Sequence, residues 1–309
     1  MKVLCFLPDT LAFQNKLGML TRSAGVNFQP CENISEVYTF AEKETDKHFF
    51  LFADSKNAQF LYEFSKQYEE CKIIVILLEA IQQQMHNFLD RDNIESFVAT
   101  NEGEFDAREL ILLLKKFQSK KSLGLDKYLN FPAIYNEKKI LNSSDKKSAL
   151  TMLEGFVVKI GGKSSRTEQY SQRICDLADE LLLNAIFDAN PRMRDSHGNQ
   201  TFQLNPEEMV KIKWGFDGEV FGLSVTDPFG ALSRQSVLKY LDGKQKRESF
   251  SARYGGGLGV KVIYERLHHY IVNVRENKMT EIICLLRFDK RFKDFEKKLR
   301  SFHYFRIED

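Results

Sequence analysis

The chain has no long hydrophobic run. Its longest unbroken apolar stretch spans residues 73–78, against the ~18 or more needed for a membrane-spanning helix. The opening residues reach Pro8 and Asp9 after a very short apolar stretch, without the h-region and small-residue cleavage site of a signal peptide, so the expectation is a cytoplasmic protein. The five cysteines (Cys5, Cys31, Cys71, Cys175 and Cys284) are an odd, scattered set with no C-x-x-C pair, which argues against a disulfide framework or a zinc site. Six histidines include the neighbours His268 and His269 but no H-E-x-x-H spacing, so metal binding through histidine has no motif behind it. An excess of one charge is missing too. Forty-five basic against 43 acidic residues give a formal net charge of +2, too small to imply nucleic acid or an anionic membrane as partner.

What the chain does have is globular composition. Hydrophobic residues make up 43% and charged residues 28% of its 309 positions, with 26 Phe against a single Trp. That length favours two domains of ordinary size. The near-neutral total hides an asymmetry, since residues 1–121 carry 14 basic and 18 acidic groups, net −4, and the remainder 31 and 25, net +6. A basic second half is read first as solvated surface and second as a surface meeting a polyanion such as a nucleoside triphosphate.

Residues 1–118 alternate short apolar runs with amphipathic stretches five times. This predicts strands at 3–7, 26–29, 49–52, 73–78 and 96–99, with helices at 11–24, 35–44, 58–68, 81–90 and 106–118. Five βα units in so short a span make an α/β fold with a doubly wound, flavodoxin-like parallel sheet the natural architecture. Ligands in such sheets sit at the C-terminal ends of strands, which brings Asp9 and Asp54 to the same edge. This first domain resembles the receiver domains of two-component signalling, where an Asp ending strand three accepts phosphate. The resemblance makes Asp54 the candidate phospho-acceptor. Several receiver features are missing: Pro8 stands beside Asp9, Leu78 and Glu79 follow the fourth strand, and Thr100 falls where a Lys would balance the phosphoryl charge. A degenerate, non-phosphorylated receiver is therefore the preferred reading, with a working Asp54 and an unrelated flavodoxin-like module as alternatives.

Residues 119–164 form a linker and connecting helix. Polar clusters surround an apolar element at 128–134, and a helix from about 145 to 160 stops at Gly161 and Gly162. Gly162, Lys163 and Ser164 look like the end of a P-loop, but Val157 stands where its first Gly would be, and the motif is rejected. From 166 to 189, Ile174, Leu177, Ala178, Leu181, Leu182 and Ala185 make a buried helical stripe. Glu180, Asn184 and Asp188 follow one another at i, i+4 and i+8 along its border. Alone, that line is no more than boundary polarity. Next come strands at 211–216 and 219–226 joined by Asp217 and Gly218, a pair that favours a type I′ turn. The sequence Asp227, Pro228, Phe229, Gly230 follows, then a helix at 232–241, a basic segment at 243–253, and the glycine run 255–259 opening a further helix. Strands at 271–275 and 281–288, around a turn at Asn277, close the unit.

This order resembles the GHKL superfamily, whose nucleotide-binding domain has the Bergerat α/β-sandwich fold, over residues 165–289. The resemblance implies Mg²⁺ and ATP as cofactors. Asn184 would hold the metal, Glu180 would polarise water or an attacking hydroxyl as the catalytic residue, and Asp188 would line the pocket. Asp227 would accept a hydrogen bond from the adenine amine, and Gly230 would let the backbone approach the base. Gly255, Gly257, Leu258 and Gly259 would offer N–H groups to phosphate at a helix start. Among Lys239, Lys244, Lys246, Arg247 and Arg253, the last, next to the glycines, is the candidate triphosphate contact. Pro228, Phe229 and Ala231 depart from the family's D-x-G-x-G pattern. The region 290–309 is read as a basic, aromatic C-terminal tail whose rings pack onto the domain.

The helices from 145 to 189 contain no histidine to serve as phospho-acceptor, and His86 lies in the first domain. The expectation is a cytoplasmic signalling protein that binds Mg-ATP and phosphorylates a protein partner. The alternatives are a nucleotide-gated binding module without phosphoryl transfer and a slow ATPase switch. A homodimer is one arrangement such a protein could take; membrane insertion and nucleic acid are not expected.

Overall fold

The structure is a computed structural model, and it describes residues 2–7, 11–44, 49–81, 87–101, 104–118, 123–196, 201–242, 256–288 and 292–307. The chain forms two compact units. One comprises Met1–Ser122, Leu241–Gln245 and Leu299–His303; the other comprises Leu123–Tyr240, Lys246–Lys298 and Tyr304–Asp309. No helix among the described residues is long and apolar enough to cross a membrane.

In the first unit the elements run β1 (Lys2–Phe6), α1 (Leu11–Ser23), β2 (Asn27–Pro30), α2 (Ile34–Lys43), β3 (Phe49–Asp54), α3 (Ala58–Gln67), β4 (Lys72–Leu77), β5 (Ile94–Asn101), β6 (Glu104–Phe105) and α4 (Ala107–Gln118). Strands β1 to β5 pair in parallel in the order β2-β1-β3-β4-β5, the flavodoxin-like order with a topological switch point beside β1. Every residue of β3 is buried, as expected for a central strand covered by helices on both faces. Helix α2 starts at Asn33, whose side chain accepts from the Glu36 N–H at 2.9 Å, while Glu36 accepts from the Glu32 N–H at 2.9 Å. Four of the five expected helices are present. The fourth, placed at 81–90, falls largely on 82–86, outside the described residues.

The second unit begins with β7 (Ile134–Ile140), α5 (Ser143–Gly161) and α6 (Ser165–Leu183), then β8 (Val210–Phe216), β9 (Val220–Asp227), α7 (Arg234–Leu241), α8 (Gly256–Glu265), β10 (His269–Arg275), β11 (Met279–Arg287) and α9 (Phe292–Lys297). Five strands pair antiparallel in the order β10-β11-β9-β8-β7, and α5 and α6 pack on each other and against this sheet. Helix α5 ends at Gly162, where φ is +68°, and Ser164 caps α6 by accepting from the Thr167 N–H at 3.1 Å. The strand β7 was not anticipated. The turn after β8 also differs from its expected type, because type I′ needs positive φ at both central residues and only Gly218, not Asp217, has it. The Asp217 carboxylate instead shapes the turn by accepting from the N–H groups of Glu219 at 3.1 Å and Val220 at 2.8 Å.

The region read as a tail is built into the fold. On α9, Phe292 and Phe295 meet the Tyr170 ring edge-on at 5.0 and 6.1 Å, and Arg173 of α6 lies over both phenyl rings. The final strand, β12 (Ser301–Arg306), runs antiparallel to β5 over its first residues, pairing Phe302 with Phe97. The buried His303 is joined through Nε2 to Glu109 of α4 at 2.8 Å.

Candidate functional site

In the second unit the three segments singled out from the sequence come together. Glu180 lies on the last turn of α6 and Asn184 opens the following turn, Asn184–Asp188, which is a π-helix closed by the Ala189 N–H on the Asn184 carbonyl at 2.9 Å. In a straight α-helix eight residues advance ~800°, so Asp188 would sit ~80° around from Glu180. The wider π turn takes back part of that drift and keeps Glu180, Asn184 and Asp188, all half-buried, closer to one line. This turn packs against both β9 and α8.

The contact with α8 is close. Gly259, in the first turns of α8, lies against the side chains of Glu180 and Asn184: a Cβ added there would run into Glu180 Oε1, with Glu180 Cδ at 3.1 Å and Asn184 Nδ2 at 3.3 Å. Only a residue without a side chain lets the start of α8 approach the carboxylate and amide this way. Gly257 and Leu258 are part of the same helix. Gly255, Arg253, Arg247, Lys246 and Lys244 lie outside the described residues, as does Asp9. Lys239 is half-buried on α7.

At the end of β9, Asp227 is 5% exposed, and its Oδ1 accepts from the Phe229 N–H at 2.9 Å. Burial pushes its carboxyl up to about 6. The opposing pull comes from the N–H groups of Phe229 and Gly230 and from Thr280. A buried carboxylate at a strand end, ionised at neutral pH and surrounded by donors, is a candidate to accept a hydrogen bond from a ligand donor as well. Gly230 has φ of +62°, and a Cβ on it would meet the carbonyl oxygen of Arg275 and the amide nitrogens of Asn277 and Lys278, both at 2.8 Å. Its close approach is therefore to the turn between β10 and β11. Thr280 was not identified from the sequence. It is 1% exposed and stands directly across from Asp227 in the β9–β11 register, a relation that exists only once the strands are paired.

In the first unit Asp54 ends β3, is 2% exposed, and caps the turn that follows by accepting from the Lys56 N–H at 2.9 Å and the Asn57 side-chain amide at 3.0 Å. Thr100 of β5 donates its hydroxyl to the Leu77 carbonyl at 2.9 Å. The two residues are thus used for local hydrogen bonding toward the C-terminal ends of β3 and β5.

No protein-family profile matches the chain, and no curated protein matches it. Among solved structures it is similar to a response regulator from Thermotoga maritima, at 14% identity and TM-score 0.33, covering 38% of this chain and 97% of that one. It is also similar to the receiver domain of the Francisella response regulator 1452, at 15% identity and TM-score 0.31, over 38% and 94% of the two chains. A third similarity is to NtrX from Brucella abortus, a structure in complex with ADP, at 14% identity and TM-score 0.32. That match covers 55% of this chain and spans only 33% of NtrX.

Proposed function

We propose that the second unit is a Bergerat-type GHKL module that binds Mg-ATP, and that the first is a receiver-like module through which a signalling protein meets its protein partner. The observation that carries this reading is the meeting of Gly259 with Glu180 and Asn184. A glycine-led helix start, whose N–H groups suit phosphate, thus lies beside the Asn184 side-chain amide, whose oxygen could ligate a hard divalent cation, and a carboxylate able to take a proton. Asp227 supplies an acceptor selective for an amino-bearing base. The residues fit the nucleotide: Asn184 would hold Mg²⁺, Asp188 would line the pocket, and the glycines would face the phosphates. In this reading Glu180 draws the proton from a Ser or Thr hydroxyl of the partner, or from water. The net +6 of the C-terminal part suits a triphosphate.

Incubation with γ-labelled ATP, alone and with cell extract, tests this reading. The protein should bind ATP only with Mg²⁺, and Asn184→Ala should weaken that Mg-dependent binding. Glu180→Ala should keep binding while lowering label transfer or phosphate release ~10²-fold or more. Binding without any movement of label leaves the nucleotide-gated module. No binding, with Asp227→Asn changing nothing, overturns the assignment.

The first unit is proposed to work without phosphorylation, because Asp54 is committed to the turn after β3. Incubation with a small phosphodonor such as phosphoramidate should leave it unlabelled, while Asp54→Ala should lower stability by ~1 kcal/mol, as loss of a cap does. Stoichiometric label on Asp54 would restore the working-receiver reading.

A further inference from the structure

The second unit contains a buried carboxylate that the proposed chemistry does not use. Glu281 is 6% exposed and follows Thr280 on β11, so the two side chains point to opposite faces of the sheet. Thr280 faces Asp227, and Glu281 faces the other way, toward a short segment, residues 123–130, laid across that side. Both Glu281 oxygens accept from the Gly124 N–H at 3.1 Å, Oε2 also accepts from the Asn273 side-chain amide at 2.8 Å, and Oε1 accepts from the Ser224 hydroxyl at 3.5 Å.

The segment is fitted to this seat in three further ways. Gly124 has φ of +105°, a conformation that favours glycine. Leu125 and Leu129 are buried where β9 has Gly222; a Cβ on Gly222 would stand 2.6 Å from Leu125 Cδ1 and 3.4 Å from Leu129 Cδ1. At the far end the Asn130 N–H donates to Asp217 at 2.8 Å. The segment is thus pinned at both ends by buried or turn carboxylates and seated in a notch cut by a glycine. It is also the stretch by which the chain enters the second unit after Ser122.

We propose that residues 123–130 form a latch on the base pocket, with Glu281 as the positioning residue that ties the docking of this segment to the placement of Thr280 and Asp227 on the opposite face of the same strands. When the segment is seated, β11 is held in the register that presents Thr280 to Asp227; when it lifts, Glu281 loses its Gly124 partner and β11 is less constrained at the pocket. A signal reaching the segment from the N-terminal part of the chain would then alter nucleotide affinity, and nucleotide binding would by linkage tighten the segment. The inference rests on the nucleotide reading above.

The test measures two quantities on the full-length chain, hydrogen exchange over residues 123–130 and the dissociation constant of a fluorescent ATP analogue. Glu281→Gln, which puts an amide opposite the Gly124 and Asn273 donors, should speed exchange of the segment and weaken the analogue about tenfold, with far-UV circular dichroism unchanged. Gly222→Ala displaces Leu125 without touching β11 and should reproduce both effects. In the unaltered protein saturating analogue should slow exchange of the segment, a response that a merely structural role would not produce. If either variant releases the segment and the analogue binds as before, or if nucleotide leaves exchange there unchanged, the latch is wrong while the nucleotide site stands. If the unaltered protein binds no nucleotide, the site reading falls and the latch with it.

Discussion

Replacing Asp227 with Asn is expected to make the protein more stable at neutral pH and a poorer nucleotide binder. In the folded state burial raises this carboxyl from 3.8 to about 6, a difference of roughly two units at ~1.4 kcal/mol each. Between those values the folded chain holds a proton that the unfolded chain has released. Stability therefore falls as pH rises through that window, and above pH 6 the ionised Asp227 costs up to ~3 kcal/mol. An amide of the same shape carries no charge to desolvate and keeps the oxygen that accepts from Phe229; its NH2 gives up one acceptor toward Gly230 and Thr280, which holds the gain below that figure. Urea or thermal unfolding should place Asp227→Asn above the unaltered protein at pH 7.5, with the gain shrinking toward zero as pH drops below about 4.

Affinity should move the other way. A hydrogen bond to a charged acceptor contributes ~1.5–3 kcal/mol, so the amide should weaken binding of an adenine nucleotide by ~10- to 100-fold. Opposite signs in the two measurements are the signature of a residue kept for a ligand at the expense of stability. Loss of both together would make Asp227 a fold residue whose hydrogen bonds to the following loop matter more than its charge.

How much of this was legible follows from where each signal lives. Strands β1, β3 and β4 were readable because central parallel strands are continuous apolar runs, as in the wholly buried β3. Strand β7 was not, since Ile-Tyr-Asn-Glu-Lys-Lys-Ile at a sheet edge leaves Ile134 exposed, half-buries Tyr135, Asn136 and Lys138, and buries only Ile140. The line of Glu180, Asn184 and Asp188 could be drawn from helical spacing, but nothing in Asn-Ala-Ile-Phe-Asp announces a π turn. Asp227 and Gly230 stood out only through the GHKL resemblance, whereas Thr280 and Glu281 sit inside an ordinary β-rich run and gain their roles from partners on other strands. Glu281 is the clearest case. Its donors come from Gly124, Ser224 and Asn273, and separations of up to 157 residues leave no local trace.

Gly259→Ala is expected to leave stability nearly unchanged and to remove most of the chemistry. Two effects on stability oppose each other. An Ala in place of Gly within a helix gains ~1 kcal/mol, while the new methyl would collide with Glu180 Oε1 and crowd Glu180 Cδ and Asn184 Nδ2 at 3.1 and 3.3 Å. The first of those atoms is the far end of a flexible, half-buried side chain, so the collision is relieved by swinging Glu180 aside and not by moving backbone. The net change should therefore stay within ~1 kcal/mol. The displaced carboxylate is the functional loss: if Glu180 is the base, phosphoryl transfer or hydrolysis should drop ~10²-fold or more, and Mg-dependent affinity should weaken because Asn184 is crowded as well. The double variant Glu180→Ala, Gly259→Ala separates displacement from general damage. With the Glu180 carboxylate already gone, the second substitution should cost little further turnover, giving strong non-additivity between the two sites. Additive losses, or full turnover in Gly259→Ala, would mean that the glycine is close to Glu180 without the closeness being used.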